Sequence, residues 1–267
     1  MTVFEAIVLG VIQGLAEFLP VSSSAHLLLT RWLFGWEEGG LAFDVALHFG
    51  TLIAVLWYFR AEWIRLAVAT KQIVVRRRIE TVAERRAVFL VIATIPAAVA
   101  GLLLEELAET EFREPAITAT TLIVLGLLLW GVDRFVGRWR RLDDLRWTDA
   151  LLIGIAQVAA LVPGVSRSGA TITAGRALGM ERESAAVFSF LMSMPVIAAA
   201  AVVKVPEAIA EMGFSPPLVA GVLAATLSSW AAIAILLRYV ARHSFGIFAV
   251  YRVALGIAVF ALLAGRG

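Results

Sequence analysis

The chain has 267 residues, 61% of them hydrophobic and 16% charged, with a mean hydropathy of +0.89. That composition excludes a soluble single-core protein, which would need polar faces recurring along each helix, and predicts an all-α polytopic membrane protein forming a single membrane-embedded domain over 1–267. A formal net charge of +2 points to no particular partner, and the absence of cysteine excludes disulfides, thiolate chemistry and cysteine metal sites.

Glu5 and the lack of a basic leader argue against reading Met1–Leu15 as a cleaved signal peptide. The apolar stretch Thr2–Leu15 is shorter than the roughly twenty residues that a helix needs to cross the hydrocarbon. Pro20 ends it, Ser22, Ser23 and Ser24 follow, and Ala25–Phe34 is a second short apolar piece. This pattern predicts a re-entrant hairpin with its tip at Pro20–Ser24, and irregular backbone at that depth requires a polar cavity.

Phe43–Phe59 is long enough to span, with His48 near its middle. The following segment, Arg60–Arg86, carries eight Lys or Arg against three Glu and is expected to be a cytoplasmic loop. Ala87–Leu104 then spans outward to the acidic loop Glu105–Glu114, and Ala116–Val132 returns to a second basic loop holding Arg134, Arg138, Arg140, Arg141 and Arg146. Ala150–Val162 is another short apolar approach, broken at Pro163-Gly164 before Ser166-Arg167-Ser168, and Ala170–Met180 comes back. Ala185–Val203, Leu218–Leu237 and Phe245–Ala264 are expected as the last three spans, with Arg238 and Arg242 marking a cytoplasmic turn.

The two broken stretches match each other. Shifted by 144 positions, Ala6, Gly10, Gln13, Ala16, Val21, Ser22 and Ser24 fall on Ala150, Gly154, Gln157, Ala160, Val165, Ser166 and Ser168, while Ser23 faces Arg167. The repeated parts are about 2–60 and 146–203, and the loop charges make the copies inverted in the membrane, so the fold class expected is one of inverted-topology repeats with two re-entrant helical hairpins meeting near the midplane. Between them the tips offer Glu17, Ser22, Ser23, Ser24, His26, Ser166, Arg167, Ser168 and Thr171. That set suits a phosphate group: a guanidinium fork, hydroxyl donors, a carboxylate able to hold a divalent cation, and an imidazole near a serine.

Gln13-x-x-x-Glu17 with Pro20-Val21-Ser22-Ser23-Ser24-Ala25-His26, and later Pro163-Gly164-Val165-Ser166-Arg167-Ser168-Gly169-Ala170-Thr171, resemble the two signature motifs of the bacterial undecaprenyl-diphosphate phosphatase family of the bacitracin-resistance type. The resemblance runs over essentially the whole chain, including Phe188-Ser189-Phe190-Leu191 and Tyr251-Arg252. It implies a multi-pass hydrolase of the bacterial cytoplasmic membrane, its active site open to the outer face, that converts undecaprenyl diphosphate to undecaprenyl phosphate and recycles the cell-wall lipid carrier. It also implies a divalent cation, Mg2+ or Ca2+. Carried over by position, Glu17 serves the metal or the diphosphate, Ser23 is the favoured nucleophile, His26 its acid/base partner and Arg167 the diphosphate clamp. Ser22, Ser24, Ser166, Ser168 and Thr171 bind phosphate oxygens, and Gln13 joins them as a substrate-binding candidate. The family allows Glu or Gln at the first position, and Gln13 here removes a two-carboxylate metal site. No nucleic-acid partner is expected; homodimerisation is left open.

Residue by residue, other readings remain. Gln13 and Gln157 also fit a structural role in closing hairpin backbone, and His48, in a plain span outside both motifs, reads as structural. Arg252 either pairs with a carboxylate or reaches the substrate. Asp44, Asp144 and Asp149 read as span-end caps or anchors, His243 as a surface residue, and Trp32, Trp36, Trp57 and Trp63 as interfacial aromatics. The rival function is a polyprenyl-phosphate transporter or flippase, since inverted repeats around a midplane anion site also build transporters. Ser23 with His26 argues for bond breaking.

Overall fold

The computed structural model describes the backbone of residues 1–36, 40–109 and 114–266, with side chains at most of these positions. Eleven α-helices are present among the described residues: α1 (Val3–Phe18), α2 (Ser23–Phe34), α3 (Gly40–Tyr58), α4 (Arg60–Arg76), α5 (Val82–Glu109), α6 (Pro115–Phe135), α7 (Trp147–Val158), α8 (Arg167–Ala177), α9 (Arg182–Met212), α10 (Pro216–Val240) and α11 (Gly246–Arg266). Short 3-10 turns lie at Leu142–Asp144 and Ala159–Leu161. Among the described residues, five stretches are long and apolar enough to cross a membrane: Val82–Leu104, Pro115–Phe135, Arg182–Val202, Pro216–Val240 and Gly246–Gly265. These match the expected spans from α5 onward, and the chain reads as a multi-pass membrane protein.

One expectation shifts beyond α3, whose 19 residues hold, up to Tyr58, the segment expected to span at Phe43–Phe59. The basic segment after it is no loop: Arg60–Arg76 is helical, because Ile64, Val68, Val74 and Val75 alternate with Arg65, Lys71 and Arg76 in an amphipathic pattern with few helix breakers. Arg86 ties this helix to the next basic connection by pairing with Glu62 and with Asp143. Of the acidic loop expected at Glu105–Glu114, residues 105–109 continue α5 as helix, and residues 110–113 lie outside the described residues.

Close packing depends on small residues. A Cβ on Gly10 would sit 2.3 Å from the Gly221 carbonyl oxygen, and one on Gly14 would sit 2.0 Å from Ser228 Oγ, so α1 and α10 touch backbone to backbone. Gly154 of α7 plays the same part against α5, with a Cβ position 2.4 Å from the Ala93 carbonyl oxygen. The main apolar core gathers Phe18, Phe188, Phe190, Leu129, Ile153 and Phe245, and Phe18 meets Phe190 edge to face at 5.1 Å.

Polar anchors hold the ends. Asp149 accepts from the Arg146 amide at 2.8 Å and pairs with Arg140; that hydrogen bond holds the Arg140 guanidinium above its usual range. Asp144 caps the Arg141 amide at 2.8 Å within the short turn Leu142–Asp144, and Asp44, near the start of α3, pairs with Arg31 of α2.

Candidate active site

α1 stops two residues before Pro20, α7 tightens into the 3-10 turn Ala159–Leu161 that stops two residues before Pro163, and both are followed by a serine that opens the next helix. Ser22 (φ 75°) and Ser166 (φ 69°) occupy left-handed backbone, which costs a non-glycine residue about 1–3 kcal/mol. Each hydroxyl caps its helix, Ser22 Oγ accepting from the Ala25 amide at 3.4 Å and Ser166 Oγ from the Gly169 amide at 3.0 Å. Each also lies 3.2 Å from the hydroxyl two residues on, Ser24 and Ser168. The two turns therefore repeat one local design at the offset that the sequence shows.

The turns meet. Ser168 Oγ donates to the Leu19 carbonyl at 3.1 Å. Arg252, fully buried on α11, donates to the Pro20 carbonyl at 3.3 Å on one side and to the Gly164 and Val165 carbonyls at 2.9 and 3.0 Å on the other. Among the described residues it pairs with no carboxylate and satisfies carbonyls that the broken helices leave free. Thr121 of α6 adds a bond to the Pro163 carbonyl at 2.7 Å.

At the junction Glu17 is 6% exposed. Its Oε1 accepts from Arg167 Nη2, and its Oε2 accepts from Ser23 Oγ at 2.6 Å and from Gln13 Nε2 at 2.9 Å. Arg167 Nη1 also donates to the Ser193 carbonyl at 3.1 Å, which fixes the plane of the fork. Four expected residues, Gln13, Glu17, Ser23 and Arg167, thus come together around one carboxylate.

His26 and Thr171 are placed elsewhere. His26 lies with Nδ1 2.6 Å from the Ser22 carbonyl and Nε2 2.6 Å from the Tyr251 hydroxyl, and no hydrogen bond joins it to Ser23 among the described residues. Thr171 is buried against the Ser189 hydroxyl at 2.6 Å.

A cavity of about 310 Å³ opens beside the pair. Glu17, Ser22, Ser23, Ser24, Ser166 and Arg167 line it together with His48 and Gln157, and Val45, Ala97, Val196 and Ile197 give it apolar walls. A neighbouring cavity of about 620 Å³ shares Ser24, Val45, His48, Ala160 and Leu161 and continues past Leu27, Leu28, Trp32 and Trp36.

Two residues that sequence reasoning set aside belong here. His48 Nε2 is 3.5 Å from Glu17 Oε2, while its Nδ1 lies 2.8 Å from the Asp44 carbonyl one turn back. Gln157 is 3% exposed, and neither its Oε1 nor its Nε2 has a partner among the described residues. Its match with Gln13 in the repeat was the signal; His48 carried none outside the motifs.

No group of three or more His, Asp or Glu arranged to hold a metal occurs among the described residues. The donor set is one carboxylate with hydroxyls around it, which fits a hard cation bound chiefly through substrate oxygens and water.

A helical membrane protein whose two broken-helix turns enclose a carboxylate–guanidinium pair, hydroxyls and an apolar-walled cavity defines a class built to take a phosphorylated lipid. Within that class the assignment is specific: residues 6–258 match the family model described as bacitracin resistance protein BacA, and the chain belongs to that family. It is 62% identical over 266 residues to an undecaprenyl-diphosphatase of Gemmatimonas aurantiaca, with both chains covered in full. It is also 48% identical to the undecaprenyl-diphosphatase of Pelotomaculum thermopropionicum (100% of this chain, 98% of that one) and 47% identical to that of Desulforudis audaxviator (100% of both).

Proposed function

We propose that this chain is an undecaprenyl-diphosphatase, cleaving undecaprenyl diphosphate to undecaprenyl phosphate and inorganic phosphate. The observation that carries the reading is Ser23 hydrogen-bonded to Glu17, with Glu17 paired to Arg167, in the wall of a cavity with apolar sides. A serine held against a buried carboxylate is equipment for attack, whereas phosphate binding alone needs only donors. The transporter reading has no such observation behind it.

In the reaction, Ser23 Oγ forms a bond to the terminal phosphorus while the bridging P–O bond breaks and undecaprenyl phosphate leaves. The serine proton passes to Glu17 Oε2, already 2.6 Å away. As Glu17 loses its charge its hold on Arg167 weakens, and the guanidinium turns its donors to the phosphoryl oxygens. Water then cleaves the phosphoserine, restoring the hydroxyl. A divalent cation would be held by Glu17 in its charged form together with substrate oxygens before the proton moves, and by the phosphate oxygens and water afterwards, and it supplies charge neutralisation when bound. His26 fixes the turn through the Ser22 carbonyl, and Ser22, Ser24 and Ser166 offer hydroxyls to phosphate.

The matching turns, small-residue packing and loop charges support two re-entrant hairpins in inverted repeats. The basic connections on the side of α6's end support a bacterial inner-membrane orientation with the site reached from the outer face. The test is phosphate release from a long-chain polyprenyl diphosphate by the purified protein, with and without divalent cation, compared with Ser23→Ala and Arg167→Ala. Cation-dependent release lost in both variants is expected. Lipid binding without release under any cation would replace the hydrolase reading with the transporter one.

A further inference from the structure

Far from this site, at the basic end of the bundle, α6 finishes and α11 begins beside a polar cavity of about 450 Å³. Arg134, Arg138 and Arg182 line it, with Ser244 and with Asp133 as its carboxylate. Asp133 is already saturated: its Oδ1 accepts from Arg176 Nε at 2.9 Å and Arg182 Nε at 2.8 Å, and its Oδ2 from Arg182 Nη2 at 2.8 Å and the Phe245 amide at 3.0 Å. Arg134 and Arg138 are exposed and make no ion pair among the described residues. The cavity therefore keeps uncompensated positive charge.

Directly adjoining it, with Trp130 as the shared wall, is an apolar groove of about 400 Å³ between α6 and α11. Leu127, Val250, Val253, Ala254 and Ile257 form its sides. From Ala249 to Ile257 the groove follows α11 for about 12 Å at the rise of an α-helix, the reach of part of an acyl chain. Trp130, 46% exposed, stands where the charged and apolar parts meet, the level at which tryptophans favour the headgroup boundary.

We infer that this composite cavity binds an anionic phospholipid of the surrounding bilayer, its phosphate held by Arg134, Arg138 and Arg182 and one acyl chain lying in the groove past Trp130. Charge complementarity selects the anion, since basic pockets between membrane helices suit phosphate headgroups and saturation of Asp133 removes the competing carboxylate. The groove selects a lipid over a free anion. No residue of the catalytic cavity takes part.

Native mass spectrometry of the detergent-purified full-length protein tests this, titrating dioleoylphosphatidylglycerol, dioleoylphosphatidylcholine and inorganic phosphate. Phosphatidylglycerol should bind roughly tenfold more tightly than phosphatidylcholine. The preference should vanish in the Arg134→Gln/Arg138→Gln double variant, which should still release phosphate from the polyprenyl diphosphate. Ala254→Trp, filling the exposed groove, should weaken phosphatidylglycerol binding while the cationic cavity stays intact. The inference is overturned if the two lipids bind alike, if the preference survives the double variant, if Arg167→Ala removes it instead, or if millimolar inorganic phosphate displaces the phospholipid completely.

Discussion

Arg167 and Glu17 stand 150 positions apart in the chain and form one ion pair, the guanidinium of the second broken-helix turn on the carboxylate of the first. Glu17 is buried and the Arg167 side chain is only 16% exposed, so either charge left alone costs about 3–5 kcal/mol, whereas removing both together leaves no unpaired charge. Arg167→Met and Glu17→Gln should each lower the unfolding midpoint, and the double variant should recover most of that loss. Phosphate release should stay below about a thousandth of the parent in all three. A thermal melt beside an activity assay separates the two effects, and additive melting losses would show that the pair is not coupled.

Ser23 is half-buried and its hydroxyl has one strong partner, Glu17 Oε2. Ser23→Ala should therefore reduce phosphate release by about a thousandfold or more while moving the unfolding midpoint little. Ser24→Ala, which removes an exposed hydroxyl of the same cavity, should cost no more than about tenfold. Rapid-quench trapping of phosphoserine in the parent checks the step directly.

What was legible in the sequence was the part dictated by local chemistry. Proline breaks, serine caps and short apolar approaches are written at Pro20–Ser24 and Pro163–Ser168, and the structure puts turns there. Glu17, Ser23 and Arg167 were found because charges and hydroxyls are conspicuous in apolar sequence. The helix at Arg60–Arg76 was missed because basic charge dominated its reading over helical period. His48 was set aside because only the crossing of α3 past α1 brings it to Glu17, and crossings are not encoded locally. The role of Arg252 stayed open for a related reason: its partners are backbone carbonyls, which leave no trace in residue type.

Arg252 holds the two turns together, and Gly164, whose carbonyl accepts from it, packs directly against α6. A Cβ at Gly164 would lie 2.1 Å from Thr121 Oγ1 and 2.6 Å from the Thr118 carbonyl oxygen, at a φ of +89° that disfavours any side chain. Gly164→Ala should destabilise the protein by about 2–4 kcal/mol and reduce activity in step. Arg252→Lys keeps the charge and loses the planar fork; it should lower the unfolding midpoint nearly as much as Arg252→Met. Full recovery of stability by lysine would show that charge, and not the set of carbonyl bonds, is what matters.

The two histidines should separate by phenotype. His48 Nε2 faces Glu17 from within the cavity and its side chain is 31% exposed, so His48→Ala should reduce phosphate release about ten- to a hundredfold with little change in melting. His26 holds the Ser22 carbonyl and stacks on Tyr251 at 5.6 Å, so His26→Ala should lose activity and stability together. Tyr251→Phe, which keeps the stacking and deletes the hydroxyl, should show a weaker version of the His26→Ala effect. Equal melting losses for His48→Ala and His26→Ala would contradict this division.

Gln157 gives the sharpest separation of binding from folding. Its amide is buried in the cavity wall with both polar atoms unpaired among the described residues, and leaving such a group unpaired costs about 1–3 kcal/mol. A diphosphate entering beside Arg167 would bring oxygens, and water on them, within reach of that amide. Gln157→Leu fills nearly the same volume without polar atoms. It should keep or raise the unfolding midpoint of the lipid-free protein while raising KM for the polyprenyl diphosphate about tenfold. If the amide were instead a structural partner of the hairpin backbone, leucine would lower the midpoint and leave KM unchanged.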